Sequence, residues 1–175
     1  MRRIAHRRAA AGNLSTSPSD CAKGHPLTLD ELLAREGVRD TYARYNHAGD
    51  RGRLEELADC FAADGVLEVR NRFTATGRDE IVDSLKSVSG ELTHHEPPPG
   101  TRHIVRHYVA NLLFTDVSAT RVESTAYYVV FLADAADHWG RYRDVLVPVD
   151  GRWLFAHRLV TVDGGRAESL ALLRG

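Results

Sequence analysis

From Thr28 onward the apolar positions follow a helical rhythm. Leu29, Leu32, Leu33, Val38, Tyr42 and Tyr45 recur at near-helical spacing, which predicts an amphipathic helix with those side chains inward. Thr28 followed three residues later by Glu31 reads as a capping box that opens the helix at Leu29. Gly37 is a weak point inside it and Gly49 a stop. A second helix is expected over Arg53 to Ala62, with Leu54, Leu57, Ala58 and Phe61 on one face. The period then changes: GVLEVR (Gly65 to Arg70) reads as a short strand and FTATG (Phe73 to Gly77) as its return. Arg78 to Val88 returns to helical spacing, with Ile81, Val82, Leu85 and Val88 inward. Three prolines and two glycines in SGELTHHEPPPG then predict an irregular loop, in which His94 and His95 read as solvated.

Beyond that loop the chain changes character. HIVRHYVANLLF, RVESTAYYVVFL, HWGRYRDVLVPV and RWLFAHRLVTV are long segments rich in β-branched and aromatic residues. The Asp150-Gly151 dipeptide between the last two is a strong hairpin signal. Helices first and antiparallel strands afterwards indicate an α+β fold. The spacing of four between His103 and His107 would align two imidazoles on a helix. On a strand it also keeps them on one face, together with Val105, Val109 and Asn111.

A chain of 175 residues is expected to form one domain with a core large enough to leave room for a ligand. The net charge of -1 gives no electrostatic case for nucleic acid. No apolar run approaches the roughly 18 residues of a membrane span. Cys21 and Cys60 do not make a disulfide framework or a cysteine metal site, which fits a reducing, cytoplasmic setting. Residues 1–27, rich in Arg, Ala, Ser and Pro, fit a disordered tail better than a transit peptide. The expected division is therefore a tail over 1–27, a domain over 28–165 and a C-terminal tail over 166–175.

Three segments carry a resemblance. YNHAGDRGRLEELADCFAADGVLE ends its helix on a tyrosine and then an aspartate, Tyr45 and Asp50. RHYVANLLF centres on His107. GRYRDVLVPVDGRWLFAHR carries Tyr142, Asp144, the Asp150-Gly151 hairpin and Trp153. From about Leu27 to Gly164 the chain resembles the nuclear transport factor 2-like superfamily. Within it, the similarity is to the SnoaL-like branch of polyketide cyclases, scytalone dehydratase, bile acid 7α-dehydratase and hexachlorocyclohexane dehydrochlorinase. The resemblance implies a cone-shaped fold in which N-terminal helices pack on a curved antiparallel sheet. It also implies cofactor-free chemistry by a His–Asp pair, His107 as base and Asp50 as its orienting carboxylate. Ketosteroid isomerases are similar around FAADGVLEV, but carry their general-base aspartate where this chain has Val69. Glu68 beside it belongs to the opposite strand face, so the base must come from elsewhere.

A neutral imidazole whose other nitrogen donates to a carboxylate is an oriented base. Tyr45, Tyr142, Asp144 and His103 are the candidate substrate-binding residues, with His103 at the rim. Each has a plainer reading beside this one: Asp50 as a cap of the following helix, Tyr45 as core, Asp144 as part of a polar network. Trp153 reads as packing. A metal held by His103, His107 and Asp144 is the competing reading of the histidines, but their spacing is not diagnostic. The expectation is a cofactor-independent lyase or isomerase, dehydrating a small hydrophobic polyketide- or steroid-like molecule, with cyclisation or isomerisation close behind. A non-catalytic ligand-binding protein and a β-type subunit of a ring-hydroxylating oxygenase share the fold. The outer sheet face, with Arg141, Arg143 and Val145, is expected to form a homodimer or homotrimer.

Overall fold

The computed structural model describes residues 26–92, 104–132, 135–167, 169 and 171. Cys21, His94, His95 and His103 lie outside them. Three helices, α1 (Leu29–Gly49), α2 (Leu54–Ala58) and α3 (Arg78–Leu92), accompany six strands. The strands are β1 (Phe61–Val69), β2 (Phe73–Thr76), β3 (Val105–Val117), β4 (Val122–Leu132), β5 (Ala135–Val149) and β6 (Arg152–Gly165). They form one curved, unclosed sheet in the order β2-β1-β6-β5-β4-β3. The meander from β3 to β6 is antiparallel, while β1 joins β6 in parallel, so the sheet as a whole is mixed. No helix among the described residues is long and apolar enough to cross a membrane.

The capping box forms: the Thr28 hydroxyl accepts from the Glu31 amide, and the Glu31 carboxylate accepts from the Thr28 amide. Gly37 does not break α1. It is where the Trp153 ring packs, and a Cβ there would meet the ring at 2.6 Å. Thr41 donates to the Trp153 carbonyl from the next turn, securing α1 to the β5–β6 hairpin. The Asp150-Gly151 turn has positive φ at both residues, 49° and 77°, as a tight two-residue hairpin of the primed kind demands.

Several expectations are corrected. Leu29, Leu32 and Leu33 are exposed, and the buried stripe of α1 starts only at Ala34. The second helix ends at Ala58 rather than Ala62, because the chain from Phe61 pairs with β6 and the Cys60 carbonyl accepts from the Phe155 amide. Strand pairing overrode the helical spacing of the apolar residues. Asn111 does not continue the inner face of β3. Its φ of 53° marks a bulge between Ala110 and Leu113, after which Leu112 and Phe114 take the inward positions.

The core lies between the helices and the concave side of the sheet. Val38, Tyr42 and Tyr45 from α1 meet Phe61, Leu67, Val122, Val130, Leu146 and Phe155. Tyr45, Phe61 and Phe155 contact one another with ring centroids 5.3–6.0 Å apart. This aromatic packing presents the C-terminal end of α1 to the start of β3.

Candidate active site

Asp50 is the residue on which α1 ends, and its amide donates to the Asn46 carbonyl at 2.9 Å. It does not cap the next helix, whose N-cap is Arg53 with no side-chain hydrogen bond. Its carboxylate turns instead to the third residue of β3. Asp50 Oδ1 accepts from His107 Nδ1 at 2.7 Å and from the His107 backbone amide at 3.1 Å. Two donors from one residue hold the carboxylate against the start of β3. A carboxylate accepts only, so this bond fixes a proton on Nδ1, and the neutral tautomer it selects carries its lone pair on Nε2. The side chains are 9% (Asp50) and 24% (His107) exposed, so the pair is sheltered but reachable.

The other candidates meet elsewhere. Tyr45, Tyr142 and Asp144 gather around Arg158, whose side chain is fully buried. Arg158 Nε and Nη2 donate to the two oxygens of Asp144 at 3.0 and 2.7 Å. Its guanidinium lies 3.9–4.6 Å from the ring centroids of Phe155, Tyr45, Tyr142 and Tyr42. Burial by itself pulls the guanidinium pKa down, but the charge and hydrogen bonds of Asp144 outweigh it and hold the group charged. Burial also raises the phenols of Tyr42, Tyr45 and Tyr142, so all three stay protonated. Among the described residues, Arg158 Nη1 has no hydrogen-bond partner. Tyr142 stacks on Tyr128 at 4.5 Å, and Tyr128 meets the His138 ring edge-on at 6.0 Å. The concave face thus runs from the Arg158 cluster to a second histidine.

Arg158 and His138 were missed in the sequence. Counting back from the Asp150-Gly151 turn, Val149 faces Arg152 and Leu146 faces Phe155, a register that would put His157 opposite Asp144. A bulge between Val145 and Leu146 shifts the pairing by one, so Asp144 faces Arg158 instead. Only the three-dimensional pairing shows this. The signal available for His138 was the neighbouring Asp137.

Among the described residues no group of three His, Cys, Asp or Glu side chains is placed to hold a metal ion. Asp144 is committed to Arg158. A shallow depression lined by Asn111, Leu113, Thr125 and Tyr127 lies at the β3 bulge and includes none of the candidate groups.

The sequence model of the SnoaL-like domain matches residues 30–159, most of the chain. The protein belongs to the SnoaL-like family. The architecture agrees, since solved structures of nuclear transport factor 2-like proteins share it. A Catenulispora acidiphila protein solved in complex with S-DNPA is 31% identical, covers 75% of this SnoaL-like chain and 95% of its own, and superposes with a TM-score of 0.62. A Novosphingobium aromaticivorans protein described as a scytalone dehydratase is 22% identical over 80% of this chain and 91% of that one, with a TM-score of 0.66. LinA is 22% identical over 80% and 94%, with a TM-score of 0.65. Curated proteins give no match.

Proposed function

We propose that this SnoaL-like protein is a cofactor-independent lyase or isomerase of dehydratase type, in which His107 is the base and Asp50 orients it. The observation that carries this reading is the 2.7 Å bond between Asp50 Oδ1 and His107 Nδ1. Nε2 of His107 takes a proton from a carbon beside a carbonyl. The C–H electron pair becomes the new π bond while the neighbouring C–O bond breaks, and the imidazolium returns its proton to the departing oxygen, releasing water. Asp50 stabilises the imidazolium in between. A positioned base of this kind contributes about 10²- to 10⁴-fold in rate. The substrate of this reading is a small hydrophobic molecule, in keeping with the partly buried Val105 and Val109 on either side of His107 along β3. The S-DNPA complex of the Catenulispora protein supports a small-molecule ligand, and the Novosphingobium protein supports the dehydratase direction. A non-catalytic carrier of the same fold would need no oriented imidazole, so the Asp50 bond favours the enzyme.

Comparing metabolites of a deletion strain with its parent identifies the accumulating compound, on which the purified protein is then assayed. Turnover should survive exhaustive chelation. Inactivation by chelator with recovery on zinc addition would overturn the mechanism.

The outer sheet face belongs, on the same reading, to further copies of this chain in a homodimer or homotrimer. Tyr108, Leu113, Tyr127, Phe131 and Trp139 are exposed, and Tyr108 and Phe131 contact each other across β3 and β4 at 5.3 Å. Exposed apolar side chains on and beside the edge strand β3 are a liability for a lone subunit. Light scattering at micromolar concentration should give a multimer, and a stable monomer would remove the assignment.

A further inference from the structure

The concave face carries a second histidine–carboxylate pair that the reaction above leaves unused. His107 on β3 is directly opposite Val130 on β4, and Val130 is opposite His138 on β5. The two histidines therefore stand in one cross-strand row with a single strand between them. Strand spacing puts their backbones about 9.5 Å apart. Both rings engage a carboxylate through Nδ1, His107 with Asp50 at 2.7 Å and His138 with Asp137 at 2.8 Å. In the neutral ring of each, the proton is held on Nδ1 and the lone pair lies on Nε2. Among the described residues, no hydrogen bond reaches either Nε2. The His138 side chain is 19% exposed, so the ring is sheltered without being sealed in.

The Asp137–His138 pair is built by a bulge. Phe131 faces Ala136 and Val130 faces His138, which leaves Asp137 as the extra residue. In a regular strand neighbouring side chains point to opposite faces, and the bulge is what lets adjacent residues meet. Asp137 is held further by the chain beyond β6. Buried Ser169 donates to Asp137 Oδ2 at 2.6 Å, and the Arg166 amide donates to the Asp137 carbonyl at 2.7 Å. Burial lowers the His138 pKa below its ordinary value, an effect that the Asp137 hydrogen bond and charge partly counter. The facing groups His107 on β3 and Arg72 at the β1–β2 turn push it down as well, while Tyr128 on β4 supplies only a ring edge. At neutral pH the imidazole is uncharged, and its free nitrogen can only accept.

We propose that His138 is a substrate-binding residue whose Nε2 accepts a hydrogen bond from a hydroxyl of the substrate, with Asp137 and Ser169 as positioning residues. The placement of the reacting carbon at His107 rests on the function proposed above, but the hydroxyl site does not depend on any reaction. The substrate class follows from the acceptor. A phenol, enol or alcohol can donate to Nε2, whereas a ketone, an ether or a hydrocarbon cannot.

The full chain, labelled with ¹⁵N, is titrated with 2-naphthol and with 2-methoxynaphthalene while the histidine ring nitrogens are followed by NMR. The His138 Nε2 resonance should lie in the unprotonated range at pH 7, and 2-naphthol should move it while its methyl ether does not. 2-Naphthol should bind the tighter by about tenfold, the worth of one sheltered hydrogen bond. His138→Ala should abolish that preference without changing affinity for the methyl ether, and His138→Gln, which keeps an acceptor, should restore part of it. Asp137→Asn and Ser169→Ala should narrow the preference likewise. Equal binding of the two probes, no binding of 2-naphthol at millimolar concentration, or an undiminished preference in His138→Ala overturns the assignment. The readout is binding alone, so an active His107→Ala enzyme would remove the proposed base and leave this site standing.

Discussion

Two carboxylate pairs brace the same sheet, one with a guanidinium and one with an imidazole, and they are built on opposite terms. Asp144 and Arg158 are completely buried, joined by two hydrogen bonds and enclosed by four aromatic rings. Asp50 and His107 share one side-chain bond at the end of a helix and keep a nitrogen open to whatever enters. The first pair spends both partners on each other. It holds α1, β5 and β6 together through Tyr42, Tyr45, Tyr142 and Phe155. The second holds one group ready for an outside partner. A buried charge without its partner is among the costliest defects in a protein, whereas a half-sheltered imidazole can be removed with little effect on the fold.

Breaking the first pair should have the largest effect on stability. Asp144→Ala leaves the Arg158 charge uncompensated and should cost about 3–5 kcal/mol in urea denaturation, a large share of a domain's usual 5–15 kcal/mol. Replacing both partners, Asp144→Leu with Arg158→Met, should recover most of that loss, because the desolvation cost disappears with the charges. If the double variant were as unstable as the single one, the pair would be more than a mutually satisfied charge.

The opposite pattern is expected at the second pair. His107→Ala should lower turnover by about 10²-fold or more while the urea midpoint stays close to wild type. Asp50→Asn should cost as much or less, since an amide oxygen still accepts from the His107 backbone amide but no longer stabilises the imidazolium. Unchanged turnover in His107→Ala would remove the central residue. A large stability loss would move this pair into the same class as Asp144–Arg158.

His138 gives the smallest effect, through pH. Its folded pKa lies below the ordinary 6.5, so between those values the unfolded chain binds more protons than the folded one. The contribution is fully present above about pH 6.5 and is lost as pH falls through the folded value. Melting temperature should therefore decline from pH 7 to pH 5, and His138→Asn should flatten part of that decline. An unchanged slope would show that His138 is not among the groups responsible.

Patterning alone determined the α+β class, the start of α1 at Leu29, the hairpin at Asp150-Gly151 and the inward side of β3 up to Val109. These depend on local chemistry: a capping box, a dipeptide tolerant of positive φ, and the two-residue alternation of a strand. Asp50 and His107 were legible as residue types through a family resemblance, although 57 positions separate them in the chain. Their 2.7 Å bond could come only from the packing of a helix end against a sheet edge. Bulges mark the limit of the sequence reading. One turned Asn111 off the inner face, one set Asp144 opposite Arg158 rather than His157, and one brought Asp137 beside His138. An extra residue shifts every later position to the other face, and its location follows from sheet curvature and pairing across strands rather than from nearby residues. The exposed leucines of α1 and the strand that displaced the end of the second helix have the same origin. What covers an apolar stripe, or pairs with a strand, is decided by parts of the chain far away in sequence.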